Sequence, residues 1–179
     1  MSQFDFLSVL VSIIFGLGMT QLCSGAVQLA YRRHLTQEQI AYTGFTFLLL
    51  VVNWWVFFSW HTAVAWTFEA FLVLVFWALG FYAMAITLYP PESATPPSYQ
   101  THYRRFLWAG LVAIIFDIIQ TAMRGRLFAP AYYLPFVGQY AVLITISIWT
   151  RNQLLRRIIA WWFLFSIALW SLVVRRFLE

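Results

Sequence analysis

Lysine is absent from this 179-residue sequence, and all eleven basic residues are arginine. A chromophore such as retinal, which is held by a Schiff base to lysine, is therefore excluded. Cysteine occurs once, as Cys23, so the sequence cannot form an internal disulfide or a metal site built from several thiolates. Only six residues are acidic, and an acidic residue inside an apolar segment is consequently a rare feature of this sequence.

The motifs of common enzyme classes are missing too. The sequence contains no Gly-rich phosphate loop, no His-Glu-x-x-His pair and no Ser/His/Asp set in a plausible register. A haem held by two histidines would need both inside the bilayer, but His34 and His102 fall in connectors and only His61 lies at the end of an apolar run. We therefore expect no enzyme activity, no cofactor, no bound metal and no nucleic-acid partner.

Apolar residues dominate the composition: 63% of residues are hydrophobic and 9% are charged, as is typical of membrane proteins. A bilayer core of about 30 Å requires about 17 to 25 apolar residues per helix, and unpaired backbone groups in lipid exclude open strands. The sequence therefore predicts an all-α, polytopic protein with one integral membrane domain over 1–179. Six transmembrane helices are predicted at about 6–30, 40–60, 67–88, 106–123, 131–149 and 158–174.

The arginines indicate an orientation in the membrane. The connectors after the first, third and fifth runs carry seven arginines, whereas the other segments outside the runs carry four. Positive residues favour the cytoplasmic side, so both termini are predicted to lie outside the cytoplasm, in a bacterial inner membrane. The first run is preceded by Asp5 and by no basic residue, so we expect it to remain as a helix rather than to be removed as a signal peptide.

A Pro-rich connector at 89–103 separates three predicted helices from three others and holds four of the six prolines. The ten residues from Val11 and the ten from Val112 are identical at five positions. This match suggests a 3+3 pseudo-repeat of opposite orientation, an arrangement that many transporters share. Apolar helices also match each other by composition alone, and the later helices show no comparable similarity. The repeat stays open, with chance similarity as the simpler explanation.

Asp117 lies inside the fourth apolar run, where a charged side chain that faced lipid would cost about 3 kcal/mol or more. Gln120, Thr121 and Arg124 follow it at helical spacings, so the four side chains share one face. This polar stripe is predicted to face protein or water. It could bind a proton, an ion or a solute, or it could only fix the packing of helices. The sequence leaves the protonation state of Asp117 open.

Candidate partners for the polar stripe can be predicted from their depth in the membrane. Alternate helices run in opposite directions, and each residue adds about 1.5 Å along the helix axis. At the level of Asp117 the sequence places Asn53 of the second helix and Gln139 or Tyr140 of the fifth. Each pairing depends on which helices are neighbours. We predict that these residues complete an intramembrane polar site.

A second polar group is predicted farther toward the surface of the membrane. His61 ends the second helix and Glu69 begins the third, and both lie near the level expected for Arg124. An unpaired guanidinium at the start of a short connector would otherwise rely wholly on lipid head groups. We define these three residues as the outer cluster and predict that Arg124 lies with Glu69 or His61.

The first helix carries a recurring pattern of small and amide side chains along one face. These residues are Gly18, Gln21, Gly25 and Gln28. Small residues let helix backbones approach closely, and buried amides can then form hydrogen bonds across the contact. The pattern predicts a packing seam, either within the bundle or between subunits, and a water-lined path is the less favoured alternative.

Two hypotheses of different classes follow. The first is a small channel or transporter for a proton, an ion or a small solute, with Asp117 as the titrating or coordinating group and the outer cluster as a gate. The second is a noncatalytic accessory or sensor subunit, in a homo-oligomer or with other membrane subunits. Lipid is the one partner that composition itself indicates. A cavity that reaches Asp117 favours transport, whereas a dry, fully paired Asp117 beside an exposed seam favours the subunit.

Overall fold

The computed structural model describes residues 3–31, 36–62, 66–89, 99–128 and 130–173, and every regular element within these ranges is helical. The prediction of an all-α fold is confirmed. A short 3-10 turn at Phe58–Thr62 extends the second helix. The long helices are α1 (Gln3–Tyr31), α2 (Gln37–Phe57), α3 (Phe68–Leu88), α4 (Tyr99–Met123), α5 (Tyr133–Trp149) and α6 (Gln153–Val173).

Two helices begin five or more residues earlier than the apolar runs that predicted them. α4 begins at Tyr99 rather than near 106, so the end of the predicted connector 89–103 is helical, while residues 90–98 of that connector lie outside the described ranges. α6 begins at Gln153 rather than near 158. The physical reason is that hydropathy marks only the part of a helix that suits the hydrocarbon core. A helix whose first turns are polar can continue into the interface, where its backbone still requires hydrogen bonds.

Five of the helices are long and apolar enough to cross a membrane, and α5 is an apolar helix of 17 residues. A rise of about 1.5 Å per residue makes α5 about 26 Å long, close to the thickness of a bilayer core. Large apolar side chains cover the outer surface, among them Ile13 of α1 and Phe165 of α6. The chain is thus built as a helical membrane bundle with an outer surface suited to contact lipid.

The order of neighbouring helices defines the interior of the bundle. α1 packs against α2 and α3, and α2 also packs against α3, so these three helices form a triangle. The further contacts join α3 to α4, α4 to α5, α5 to α6 and α6 back to α2. α2 through α6 therefore surround a common centre, with α1 outside it. The halves use different neighbours, since α6 packs mainly on α2 of the first half, and the 3+3 repeat stays a hypothesis.

The close contact between α3 and α4 holds one wall of this ring in place. A Cβ atom at Gly80 of α3 would lie 3.0 Å from the Cα atom of Ala113 in α4, so glycine is what permits the backbones to approach so closely. Aromatic side chains fill much of the remaining interior, with Phe15, Trp77 and Phe81 in mutual contact at centroid distances of 5.5 to 6.2 Å. This packing sets the position of Trp77, which is 1% exposed.

Whether α5 crosses the membrane can be tested directly, because exposed residues lie in the chain beyond each of its two ends. In a Cys23→Ser background, single cysteines at Phe128 and Asn152, both exposed, should react with a membrane-impermeant maleimide from opposite sides of oriented vesicles. The expectation follows from the length and apolarity of α5. Labelling of both positions from the same side would show that α5 does not span. Labelling of Asn152 from the cytoplasmic side would support the predicted orientation.

Candidate functional site

A cavity of about 360 Å³ lies at the centre of the ring formed by α2 through α6. Its wall is mostly apolar, and its polar and charged side chains gather near the end of α4. They include Asp117, Gln120, Thr121, Arg124 and Arg126. Arg126 and Pro130 are exposed, so the cavity reaches the surface beside the α4–α5 connector. We refer to this end of the bundle as the Arg124 end.

The depth of the cavity follows from the residues that α4 contributes. Gly110 and Arg124 both line it, and fourteen residues of helix correspond to about 21 Å along the helix axis. The cavity therefore extends from the surface at the Arg124 end to the middle of the bundle. Its inner part is lined by apolar side chains, including Phe81, Met84 and Ile144.

The Asp117 carboxyl group is held by donors from three positions. Trp77 Nε1 of α3 donates to Oδ1 at 2.9 Å, and Gln120 Nε2 donates to the same oxygen at 3.2 Å. Tyr133 at the start of α5 donates its hydroxyl to Oδ2 at 2.7 Å. Each of these three donors satisfies an acceptor site on the carboxyl group. They also join α3, α4 and α5 at one point.

Gln120 and Thr121 continue this hydrogen-bond network. Trp60 Nε1 donates to Gln120 Oε1 at 3.2 Å, and Gln120 Nε2 donates to Thr121 Oγ1 at 3.0 Å. Gln120 is 2% exposed and Thr121 is 4% exposed, although both line the cavity. Buried amides of this kind must be satisfied to avoid a desolvation penalty. Asp117, Gln120 and Thr121 of the polar stripe are thus joined in one hydrogen-bond network.

The end of α4 directs two arginines toward the cavity. Gly125 has a φ of 66°, a left-handed conformation that favours glycine. The Gly125 amide donates to Ala122 O at 2.9 Å, and the Arg126 amide donates to Thr121 O at 3.2 Å. This is the Schellman pattern of a helix C-terminus. It places Arg124 and Arg126 on either side of the turn, and both line the cavity.

The predicted neighbours of the stripe occupy different places. Asn53 and Tyr140 line the cavity together with Asp117. Asn53 donates to Leu49 O of its own helix at 2.8 Å, and the Tyr140 hydroxyl lies 2.8 Å from Ser166 Oγ. Gln139 instead accepts a hydrogen bond of 3.4 Å from Trp162 Nε1 on α6. The structure therefore brings Asn53 and Tyr140 to the cavity and directs Gln139 toward α6.

The residues of the outer cluster have separate environments. The Arg124 guanidinium lies 5.3 Å from the ring centre of Trp60, a cation–π contact. The His61 ring lies 2.7 Å from Phe58 O and packs edge-on against Phe4. Glu69 is exposed at the start of α3. The association of Arg124 with Glu69 or His61, and a gate made from them, stay predictions.

The small-residue seam of α1 packs mainly inside the bundle. A Cβ atom at Gly18 would lie 3.3 Å from a Leu50 methyl group of α2, and one at Gly25 would lie 2.2 Å from the base of the Tyr89 ring. Gln21 donates its amide to the Tyr89 carbonyl oxygen. Gln28 is exposed and lies beyond these contacts. Gly18, Gln21 and Gly25 thus form a contact with α2 and the end of α3.

Three aromatic residues of the site were not among the residues predicted to form it. Tyr133 and Trp77 bind the Asp117 carboxyl, and Trp60 binds both Gln120 and Arg124. A signal was present for Trp77, because an indole N–H near the middle of an apolar run needs a hydrogen-bond partner. Tyr133 and Trp60 lie near the ends of apolar runs, where aromatic residues are common at the membrane interface. Their sequence positions therefore gave no sign of a role in the interior.

A second buried polar group lies at the opposite end of the bundle, which we call the Arg156 end. Arg156 of α6 is 8% exposed and stacks 3.8 Å from the ring centre of Tyr103. Its Nη2 atom lies 3.6 Å from Glu38 Oε2 on α2. The Tyr103 hydroxyl also bonds to Ser147 and lies 3.3 Å from the Tyr42 hydroxyl. We name these five residues the Arg156 cluster. It connects α2, α4, α5 and α6.

Three aromatic rings separate the cavity from the Arg156 cluster. Phe45, Tyr140 and Phe163 contact one another at centroid distances of 5.1 to 5.5 Å, and each is at most 6% exposed. Tyr42 of the Arg156 cluster packs on Phe163 at 6.1 Å. Phe45 and Tyr140 also line the cavity. We name these three rings the aromatic layer; two of them line the cavity, and the third packs on Tyr42 of the Arg156 cluster.

The fold and the cavity together define a class: a polytopic α-helical membrane bundle with an internal cavity that opens at one end and carries a polar, charged mouth. Comparison of the chain with models of protein families, with curated proteins and with solved structures gives no match. The features that bear on a function are therefore the cavity, the hydrogen bonds of Asp117 and the placement of the charged residues.

Proposed function

We propose that this protein is a small-solute transporter of the carrier type, which binds its solute in the central cavity. The observation that carries the proposal is the cavity of about 360 Å³ that reaches Asp117 and Arg124. Ligand pockets in proteins have volumes of about 300 to 1,000 Å³, mostly apolar walls and a few placed polar groups. The cavity has these properties, and its volume suits a small solute with a largely apolar body.

A carrier fits the interior better than an open channel does. A channel needs a continuous path, whereas the buried rings of the aromatic layer pack against one another between the cavity and the Arg156 cluster. Beyond that layer, the ion pair of Arg156 with Glu38 and its stacking on Tyr103 join the helix ends. Alternating access would require these contacts to separate while the Arg124 end closes. The arginine bias supports placing the Arg156 end on the cytoplasmic side of a bacterial inner membrane.

Asp117 would organise the polar end of the binding site and couple transport to a proton or ion. Its carboxyl group lies in the cavity wall and accepts hydrogen bonds from α3, α4 and α5. A change in its charge would alter two hydrogen bonds between helices, from Trp77 and Tyr133, and one within α4, from Gln120. Protonation of Asp117 would therefore have a mechanism for shifting the helices. An intramembrane carboxyl with this setting is commonly functional in transporters.

The accessory or sensor hypothesis remains the alternative. A cavity that opens at one end would serve a sensor as well as a carrier. The α1 seam is the surface that the sequence offers for a subunit interface, but three of its four residues pack against α2 or the end of α3. That reduces the support for a subunit interface at this seam. The property that separates the two functions is movement of the solute across the bilayer.

The test uses a matched pair of substitutions on α5. Val137 lines the cavity and is 8% exposed, whereas Val142 is 59% exposed on the outer surface. Proteoliposomes would be assayed for counterflow of labelled phenyl phosphate, benzyltrimethylammonium and phenyl glucoside. We expect protein-dependent counterflow of at least one probe, its loss in Val137→Trp because the indole fills the cavity, and its retention in Val142→Trp. Ile114→Trp, from the α4 wall, should repeat the loss.

Three results would count against the proposal. If no probe shows counterflow but one binds with an affinity that Val137→Trp abolishes, the sensor hypothesis is preferred. If counterflow is equal in both valine variants, solute does not pass through the cavity. If no probe binds or moves, a cavity-based carrier of small solutes is rejected for these three classes of head group. Size-exclusion profiles of the variants would establish that each remains folded.

A further inference from the structure

We propose that the ligand of the cavity is an amphiphile with an anionic head group and a single apolar chain. The head group binds at Arg124 and Arg126, and the chain extends into the inner part of the cavity. This inference rests on the proposed function, because it names the chemical class of the solute that the same cavity takes.

The charged residues that line the cavity give its mouth a positive balance. Arg124 and Arg126 are both lining residues, and Asp117 is the acidic residue among the side chains described as lining the cavity. Two guanidinium groups therefore face one carboxyl group. Guanidinium groups present several donors in a planar fork that matches carboxylate and phosphate oxygens. A ligand with a negative head group would complement this mouth, whereas an ammonium group would be repelled by it.

The Asp117 carboxyl group is already occupied by protein donors. Trp77, Gln120 and Tyr133 donate to its two side-chain oxygens at 2.7 to 3.2 Å. Capture of a cationic ligand by this carboxylate would compete with these bonds, which also join α3 and α5 to α4. The structure therefore assigns Asp117 to the framework of the mouth and leaves ligand recognition to the arginines and to nearby hydroxyl and amide groups.

The distribution of polarity along the cavity matches an amphiphile and not a wholly polar solute. The exposed Arg126 stands at the surface, and about 21 Å from Arg124 along the α4 axis the cavity is lined by Gly110, with Met84 and Ile144 beside it. Burying an apolar chain there gains about 25 cal/mol for each Å² removed from water. A charged head placed at that depth would lose its hydration. The head must therefore stay at the mouth while the chain fills the interior.

The turn at Gly125 explains how the mouth can hold a head group from two sides. The Schellman hydrogen bonds fix the backbone between Arg124 and Arg126. Arg124 is further held by its stacking on Trp60 at 5.3 Å. Arg126 is exposed at the surface. One arginine of the pair thus stacks on an aromatic ring and the other stands at the surface, which suits binding of a head group that enters from the interface.

The experiment measures binding of four probes of equal chain length to the protein in nanodiscs of zwitterionic lipid. The probes are decanoate, decyl phosphate, decyltrimethylammonium and decyl glucoside, and empty nanodiscs give the partition background. We expect saturable binding of decanoate or decyl phosphate and weaker binding of the cation and the neutral probe. Arg126→Gln should weaken the anionic probes by about three- to tenfold, because a charge-assisted contact is lost. Arg157→Gln, an exposed arginine at the Arg156 end, should leave binding unchanged.

The outcomes separate this inference from the proposed function. If the cationic or neutral probe binds best and Val137→Trp abolishes that binding, the cavity is a binding site but the anionic class is wrong. If Arg126→Gln and Arg157→Gln weaken the anionic probes equally, recognition at the mouth is refuted and only a general surface attraction remains. If Val137→Trp does not weaken the binding of any probe, amphiphile binding in the cavity is rejected. Counterflow of the small aromatic probes would still test the carrier separately. A preference between decanoate and decyl phosphate would identify a carboxylate or phosphate head.

Discussion

Replacement of Asp117 by leucine is expected to destabilise the protein by about 2 to 5 kcal/mol. The substitution removes the acceptor for Trp77, Gln120 and Tyr133 together. Hydrogen bonds in membrane proteins contribute about 0.6 kcal/mol each on average, but a buried donor left without an acceptor costs about 1 to 3 kcal/mol. The larger figure applies most clearly to Trp77, which is 1% exposed. Unfolding by SDS in bicelles would measure the difference.

Asp117→Asn is the matched control, because the amide keeps the shape of the side chain and one acceptor oxygen. We expect this variant to lose about 1 kcal/mol or less, since the Tyr133 hydroxyl can turn to accept from the new amide group. Its folding should therefore be close to that of the parent, while any counterflow driven by pH or an ion gradient should be lost. Equal stability of the leucine and asparagine variants would show that the Asp117 hydrogen bonds do not hold the helices. Full gradient-driven counterflow in Asp117→Asn would remove its coupling role.

Arg156→Met is expected to destabilise the protein by about 2 to 4 kcal/mol, whereas Arg157→Met should change stability by about 0.5 kcal/mol or less. The two arginines are adjacent, but Arg156 is buried between Glu38 and Tyr103 while Arg157 is exposed. Removal of one member of a buried ion pair leaves the other charge poorly compensated, and the stacking on Tyr103 is lost as well. The same SDS titration would compare both variants.

A double-mutant cycle with Glu38→Gln would isolate the ion pair from the aromatic contact. If the pair is responsible, Arg156→Met should cost clearly less in the Glu38→Gln background than in the parent. An unchanged cost would assign the effect of Arg156 to Tyr103 stacking alone. Similar stabilities for Arg156→Met and Arg157→Met would contradict the placement of Arg156 in the interior.

Local patterns in the sequence determined the class of this protein and the position of its polar stripe. A run of apolar residues long enough to cross a bilayer must form a helix there, because backbone groups cannot remain unpaired in lipid. The spacing of Asp117, Gln120, Thr121 and Arg124 places them on one helical face whatever surrounds the helix. The seam of α1 followed from the same periodicity. These features depend on residues within a few turns of one another.

Tertiary packing decided what those residues contact. The sequence placed Asn53, Gln139 and Tyr140 at one depth, but helix rotation directed Gln139 toward Trp162 and left the other two at the cavity. Depth follows from counting residues, whereas rotation and neighbour order follow from how side chains of distant segments fit together.

The same distinction separates Arg156 from Arg157 and identifies Tyr133 as a partner of Asp117. Two adjacent arginines have the same local sequence context, yet only Arg156 meets Glu38 and Tyr103 from other helices. Tyr133 lies sixteen residues beyond Asp117, past the turn at Gly125, and its hydroxyl reaches the carboxyl group only because α5 folds back along α4. The cavity likewise exists because α2 through α6 close around a centre. Helical periodicity fixes which face a residue occupies, but only the packing of the other helices fixes what that face meets.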